Sequence, residues 1–275
     1  MSIWVYYEYN SFLNMGGNYR RNAYFLRHST YKMIERNHVY NMDCRDGLRE
    51  MSRGGVFVDA VITDPPYLIN YFSHHRQDKT HKFCKPIEND DNPQIIIDTI
   101  PLIYDVMKPD TPIYMFCGSD KVDFFKSEIE KFFTVKNLIV WDKGNHTAGD
   151  LDAQYGKSYE FIIYANKGRA PFMPDARRFE DIWRIPRVSG KEQIHQNQKP
   201  QNLLRRIIIQ HTKPHDLILD PFAGSMSTAV AAYNLQRDYI GFELSPEIYA
   251  EGAAWLEREK RQISIFDILS NQTKK

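Results

Sequence analysis

The tetrapeptide Asp64-Pro65-Pro66-Tyr67 sets a carboxylate, a bare carbonyl and an aromatic ring at one spot. It follows a β-branched run, Val58-Asp59-Ala60-Val61-Ile62-Thr63, which reads as a buried strand. The four residues therefore sit where a strand emerges at the carboxyl edge of a sheet, the edge at which open α/β sheets bind their ligands. Two consecutive prolines remove two backbone donors and bias Asp64 and Pro65 to extended geometry, which leaves carbonyls available as acceptors. Such a spot suits a planar group bearing an NH2, hydrogen-bonded at its edge and stacked on Tyr67. Taken alone, the same four residues are equally consistent with a strand followed by a proline turn.

A second set lies far along the chain. Asp216-Leu217-Ile218-Leu219-Asp220-Pro221-Phe222-Ala223-Gly224-Ser225 is a hydrophobic strand ending in an acid, a small-residue turn and the start of an Ala-rich helix over 228–235. This combination forms a nucleotide or nucleoside site, because small residues permit close approach and backbone amides are exposed. The next strand, 239–242, ends in Glu243, about twenty residues on, where a carboxylate can grip both ribose hydroxyls of an adenosine. Neither a phosphate-binding G-x-x-x-x-G-K-[ST] nor a dinucleotide G-x-G-x-x-G pattern is present, since Gly224 is followed by Ser225, Met226 and Ser227. Asp220 stands where a pyrophosphate would otherwise lie. A cofactor with a cationic amino group and no phosphate is favoured, and S-adenosylmethionine fits.

The elements that must position these residues alternate. Strands are predicted over 38–42, 58–63, 113–117, 138–141, 159–164, 216–219 and 239–242, with helices over 46–51, 93–107, 120–132, 199–211 and 228–235. Ser245-Pro246-Glu247 caps a last long helix. That order predicts an α/β domain with a mainly parallel sheet and helices on both faces. Three stretches fall outside it. Residues 1–37, rich in tyrosine and arginine, read as a peripheral N-terminal extension. Residues 68–94 form a long loop carrying His74, His75, Arg76, Lys79 and Lys82, a candidate mobile nucleic-acid clamp. Its histidines lack a second ligand cluster, so no metal is expected. Residues 165–198 interleave Arg177, Arg178, Arg184 and Arg187 with Phe172, Phe179 and Trp183. Because arginine reaches phosphates and reads guanine edges, this is the second nucleic-acid candidate, against the plainer reading of a solvated excursion.

At 275 residues the chain is long enough for one large α/β domain. Lys+Arg 36 against Asp+Glu 35 leaves a formal charge of +1, so any nucleic-acid contact must come from a local patch. Cys44, Cys84 and Cys117 are few, odd in number and without C-x-x-C spacing, which indicates neither a disulfide framework nor a zinc site and points to a reducing, intracellular location. No apolar run approaches membrane-spanning length, and no secretory signal opens the chain.

Six motifs occur in one order: Asn41-Met42-Asp43-Cys44, Asp64-Pro65-Pro66-Tyr67, Trp141-Asp142-Lys143-Gly144, Asn197-Gln198-Lys199-Pro200, Asp220 to Ser225, and Gly241-Phe242-Glu243. In this the chain resembles the amino-directed DNA methyltransferases of the circularly permuted β group over roughly residues 38–260. The resemblance implies a seven-stranded, Rossmann-like sheet of the class I S-adenosylmethionine-dependent methyltransferases, in a domain over 38–262. It implies that Asp64, Pro65, Pro66 and Tyr67 are catalytic, with Asp64 also beside the cofactor. Asp43 and Cys44 resemble the element that holds the cofactor's adenine, and Glu243 the ribose ligand. Asp220, Pro221, Phe222, Ala223, Gly224 and Ser225 resemble the loop around the methionine moiety, and Lys199-Pro200 the element that meets its carboxylate. Met226 and Ser227 depart from the glycine and threonine frequent in the family, making the turn bulkier.

The implied reaction is methyl transfer to the exocyclic amine of a base flipped out of double-stranded DNA. Asp in the first position of the tetrapeptide is typical of N6-adenine enzymes, while N4-cytosine is the alternative, and a catalytically weak DNA-binding relative is a further one. Attack at cytosine carbon 5 would need a Pro-Cys pair, which is absent. Homodimer formation, a DNA-modification role and a cytoplasmic, nucleoid-associated place in a bacterial or phage-infected cell accompany the resemblance. Finally, Gln262-Ile263-Ser264-Ile265-Phe266 in the tail over 263–275 is similar to the peptide by which bacterial replication proteins dock on the sliding clamp, with a core-packing terminal strand as the competing reading.

Overall fold

The computed structural model describes residues 33–69, 90–146, 153, 155–188 and 198–272, the stretch 263–272 by its backbone alone. The chain divides into Met1–Tyr31, outside the described residues, and Lys32–Lys275, which holds every element below. His74, His75, Arg76, Lys79 and Lys82 of the expected clamp also lie outside the described residues, as does Asn197.

The elements run β1 (His38–Asn41), α1 (Cys44–Arg53), β2 (Ala60–Thr63), α2 (Gln94–Val106), β3 (Thr111–Cys117), α3 (Val122–Glu130), β4 (Thr134–Asp142), β5 (Tyr159–Lys167), β6 (Ile182–Arg184), α4 (Gln201–His211), β7 (Leu217–Asp220), α5 (Ser227–Asn234), β8 (Asp238–Glu243) and α6 (Pro246–Gln272). The strands form one sheet in the order β1-β8-β7-β2-β3-β5-β4-β6. Pairing is parallel except where β5 runs antiparallel between β3 and β4.

The central strands are buried on both faces and so read as unbroken apolar runs, as parallel strands under helices do. Alternate residues serve opposite cores. Val61, Leu217 and Leu219 pack with Leu48, Met51 and Ile100 of α1 and α2, whereas Ile62 and Ile218 pack with Leu203, Leu204, Val230 and Trp255 of α4, α5 and α6. That two-residue period inside a four-residue strand fixes its register, because a slip of one would exchange the two cores.

Two expectations change. The sheet has an eighth strand, β6, inside the stretch read as irregular. It is three residues long with only Trp183 buried, too short to show a period, and it exists because Val140, Trp141 and Asp142 of β4 offer it a parallel edge. At the other end, α6 continues to Gln272, so residues 262–266 continue the last helix and are neither a free peptide beyond it nor a strand. Among the described residues, no helix is long and apolar enough to cross a membrane.

Candidate active site

Strand order determines where a ligand can sit. From β7 the sheet extends through β8 to β1, and from β2 through β3 towards β6, so β2 and β7 are neighbours across the point where the order reverses. Ala60 pairs with Ile218 and Val61 with Leu219 in parallel register. The segments leaving these strands, Asp64 onward and Asp220 onward, therefore share one crevice at the carboxyl edge. The two most informative sequence motifs, more than 150 residues apart, are side by side.

Tyr67 folds back over its own motif. Its hydroxyl lies 2.8 Å from Asp64 Oδ1 and 2.9 Å from Glu160 Oε2. The ring rests on Gly118, where an added Cβ would come 3.3 Å from Tyr67 Cδ2. Leu68 then adopts φ 60°, and its amide donates to the buried Asp90 carboxylate at 2.9 Å. Pro65 is buried and Pro66 half-buried.

Lys199 is the centre of the cluster. Only 7% exposed, its Nζ is 2.8 Å from Asp64 Oδ2, 3.1 Å from Glu160 Oε2 and 3.1 Å from the Tyr67 oxygen. The rings of Phe116, Tyr67 and Trp141 surround it at 4.8, 5.4 and 5.6 Å from their centroids, a favourable setting for a cation. Pro200 follows as the cap of α4, with φ -61° and ψ 135°. Lys143 completes the set by reaching Glu160 Oε1 at 3.1 Å. Burial pushes the Asp64 carboxyl up from its ordinary range, against the pull of Lys199. For Glu160 the balance is reversed: despite burial, Lys199 and Lys143 hold it down at about 2. Burial, with the two carboxylates beside it, drives the Tyr67 phenol well up, so it stays protonated.

The sequence expectation set Lys199 at the carboxylate of a bound methionine moiety; in the structure its partners are Asp64 and Glu160. Its ammonium is engaged by Asp64 and Glu160 because both reach it within ion-pair distance from neighbouring strand ends. Glu160 was missed altogether. The available signal was an acid within the otherwise apolar run 159–164, but its side of the sheet depends on the antiparallel direction of β5, which the sequence pattern leaves open.

On the β7 side, Asp220 is 6% exposed and accepts from the Phe222 amide at 3.2 Å. Burial pushes its carboxyl up to about 7, with hydrogen bonds from Thr228 and Phe222 opposing. No ion pair to it occurs among the described residues. Gly224 takes φ 49°, and its amide donates to Glu243 Oε2 at 2.8 Å, so Glu243 braces the same turn it faces. Its other oxygen accepts from the Ser245 amide at 2.8 Å. Pro221 is buried and Phe222 half-buried, while the Ala223 amide donates to the Phe242 carbonyl, tying the turn to β8. The Ser225 and Ser227 hydroxyls meet at 2.8 Å. Met226, the departure from the family pattern, adopts φ 64°, and its side chain is buried in the core beneath α6, where Gly252 leaves room for it. The extra bulk thus points away from the turn.

Asp43, at the end of β1 beside β8, caps α1 by accepting from the Arg45 amide at 2.8 Å. The Arg45 guanidinium also pairs with it at 2.7 Å and holds its carboxyl below the usual range. Cys44 turns inward instead of towards the crevice: its Sγ lies 3.7 Å from the Thr99 hydroxyl, and burial pushes the thiol up to about 12. Of the basic residues in the 165–198 segment, Arg177, Arg178, Arg184 and Arg187 are all exposed. Arg184 belongs to β6, next to Asp142 and hence near the Lys143 end of the site. Among the described residues no cluster of metal-ligating side chains occurs.

A mainly parallel, helix-covered sheet with an acid at the end of each strand flanking the reversal point defines a class I methyltransferase fold. The chain belongs to the DNA methylase family acting on N6 or N4 amines, whose description matches residues 58–254. It is 29% identical over 258 residues to the type II methyltransferase M2.MboI of Moraxella bovis, covering 86% of this chain and 91% of that one. It is 26% identical to the DNA adenine methyltransferase YhdJ of Escherichia coli K12, over 73% of this chain and 76% of that one. The crystal structure of M1.HpyAVI in complex with SAM superposes with a TM-score of 0.62 at 27% identity, covering 78% of this chain and 96% of the other.

Proposed function

We propose that the protein transfers a methyl group from S-adenosylmethionine to the exocyclic N6 amine of adenine in DNA. The observation that carries this is the juxtaposition of Asp64 with Asp220 across the β2 and β7 pair. Family membership, the likeness to an adenine methyltransferase and the likeness to a structure solved with SAM support it.

The crevice suits the cofactor chemically. Asp220 is a buried carboxylate whose ionised form lacks a cationic partner among the described residues, and a ligand ammonium would supply one. Ala223 and Gly224 keep the turn low, Glu243 lies at its mouth, and Asp43 closes the far side at the end of β1. Bound there, the cofactor supplies an electrophilic methyl group.

The remaining chemistry belongs to the chain. An exocyclic amine is a weak nucleophile because its lone pair is delocalised into the ring. Hydrogen bonds from that NH2 to the Asp64 carboxylate and the Pro65 carbonyl draw the nitrogen towards tetrahedral geometry and free the lone pair. Fixed acceptors at this point cost no reorganisation during reaction. The target base must leave the duplex, which costs a few kcal/mol of lost stacking that the Tyr67 ring partly restores. Arg177, Arg178, Arg184 and Arg187 supply exposed cations for the phosphates, and His74, His75, Arg76, Lys79 and Lys82 are the second DNA-contacting set.

The test is incubation of purified protein with S-adenosylmethionine and unmethylated DNA, followed by nucleoside mass spectrometry. N6-methyladenine is expected, and Asp64→Ala abolishes it while cofactor binding persists. N4-methylcytosine as the product would overturn the assignment of the base.

A further inference from the structure

The hydrogen bonds around Tyr67 do not add up if both neighbouring carboxylates are ionised. Its oxygen lies 2.8 Å from Asp64 Oδ1 and 2.9 Å from Glu160 Oε2. Both contacts are at hydrogen-bond length, and a single O–H can be well aligned with only one of them. A phenol has one O–H. The Lys199 ammonium also donates to that oxygen, at 3.1 Å, and to Asp64 Oδ2 and Glu160 Oε2, so its protons are directed from nitrogen to those oxygens and none lies between the phenol oxygen and a carboxylate. The cluster therefore has room for one proton more than Tyr67 brings, and amine methylation releases one proton.

Resting on the methyltransferase reading, we propose that Glu160 is a positioning residue for proton release: it holds the Tyr67 hydroxyl proton, leaving the Tyr67 oxygen to accept from Asp64 once Asp64 is protonated. The atoms balance as follows. The amine lone pair forms the new nitrogen–carbon bond, and the carbon–sulfur bond breaks with its pair going to the sulfonium sulfur, which becomes a neutral thioether. The methylated nitrogen is then cationic; its N–H bond breaks with the pair returning to nitrogen, and the proton passes to Asp64 Oδ1. Protonated Asp64 donates to the Tyr67 oxygen, while Tyr67 continues to donate to Glu160.

The order of acidities suits this arrangement. Burial raises Asp64, so it can receive the proton, while Lys199 and Lys143 keep Glu160 ionised as a permanent acceptor. The charged and titratable groups facing Glu160 come from every flanking element: Lys199 before α4, Lys143 after β4, Tyr67 and Asp64 after β2, and the Cys117 thiol at the end of β3. Because Lys199 touches Asp64 and Glu160 alike, it keeps the two carboxylates together without filling the gap between Asp64 Oδ1 and the phenol.

The experiment compares the parent protein with Glu160→Gln, Tyr67→Phe and the double variant. Single-turnover methyl transfer to unmethylated DNA is expected to fall about 100-fold in each single variant, the low end for proton-transfer catalysis. Because both act through one hydroxyl, the double variant is no slower than the slower single one. S-adenosylmethionine affinity by calorimetry stays within about twofold of the parent, since neither side chain is on the Asp220 side. Multiplicative rate losses, or an unchanged rate in Glu160→Gln, overturn the proposal.

A second arm needs no turnover: carbon-13 NMR titration of the Asp64 carboxyl in the free protein. Glu160→Gln lowers the Asp64 titration point, and in a Tyr67→Phe background that shift shrinks to less than half. An equal shift in both backgrounds means Glu160 acts by charge alone, which also overturns the proposal. A parent protein that transfers no methyl group while showing the Tyr67-dependent shift would instead sink the methyltransferase reading and leave the hydrogen-bond assignment standing. Tyr67→Phe removes no charge and keeps the ring, so it remains informative if Glu160→Gln does not fold.

Discussion

Lys199→Met is the substitution that most directly tests the architecture of the site. Methionine has nearly the volume and flexibility of lysine, and the box formed by Phe116, Tyr67 and Trp141 accommodates it, so packing is preserved. What is lost is the ammonium that Asp64 and Glu160 share at 2.8 and 3.1 Å. Removing one partner of a buried ion pair costs about 3–5 kcal/mol because the other charge is left uncompensated. Two features reduce the cost here. Lys143 still reaches Glu160, and the Asp64 side chain is 21% exposed, so it can take up a proton or water. A loss of about 3 kcal/mol at pH 7 is therefore expected, at the lower end of that range.

The pH dependence follows from the direction of the shifts. Glu160 is held at about 2 in the folded protein against an ordinary 4.5, so the stability it contributes is present above pH 4.5 and is lost as pH falls towards 2. Lys199 is raised above its ordinary 10.5, so its contribution is complete below that pH. The difference between parent and variant should be full from about pH 5 to pH 10 and should narrow at pH 4. Urea unfolding followed by circular dichroism at pH 7 and pH 4 measures it. A variant within 0.5 kcal/mol of the parent at pH 7, or a difference that does not narrow at pH 4, refutes the reasoning. Calorimetric titration with S-adenosylmethionine adds a separate decision: a loss of affinity beyond about tenfold would place the ammonium at the cofactor's carboxylate when ligand is bound, not at Asp64.

Asp220, with its carboxyl near 7, makes cofactor affinity pH-dependent: calorimetry should show S-adenosylmethionine binding about tenfold tighter at pH 8 than at pH 6, as the ionised fraction rises, and Asp220→Asn should remove the dependence. Gly252→Ala would place a Cβ 2.8 Å from Met226 Cγ and 3.0 Å from the Ser225 carbonyl carbon, so a loss of about 1–3 kcal/mol in chemical denaturation is expected, with weakened cofactor binding through the displaced turn. His211 lies between the Tyr114 hydroxyl and the Pro171 carbonyl, and burial holds its ring down at about 4. A depressed histidine stabilises the fold above its ordinary 6.5 and loses that contribution as pH falls towards 4, so the melting temperature should drop more between pH 7 and pH 5 in the parent than in His211→Gln.

The sequence by itself determined the two strand ends at which Asp64 and Asp220 stand. Asp64 and Asp220 end short β-branched or aliphatic runs of the kind that doubly covered parallel strands carry, and flanking turn residues place both acids at strand ends. Met226 is a case where the sequence raised a question that packing answers: its side chain turns into the core, and Gly252, twenty-six residues later on α6, leaves the space. The ion pairs of Lys199 with Asp64 and Glu160 were not legible, because a lysine stem can reach several acceptors and only the arrangement of strand ends selects among them. Glu160 was not legible. A strand's residues alternate between faces whichever way the strand runs, so the pattern over 159–167 carries no direction. Had β5 run parallel to its neighbours, Glu160 would lie at the amino edge, a strand's length from Asp64. Because β5 runs antiparallel between β3 and β4, its first residues arrive beside the last residues of its neighbours, with Phe161 opposite Cys117 and Glu160 opposite Trp141. Tertiary structure alone therefore made a second carboxylate part of the site, since sheet direction is set by pairing and crossover geometry and not by the residues of one strand.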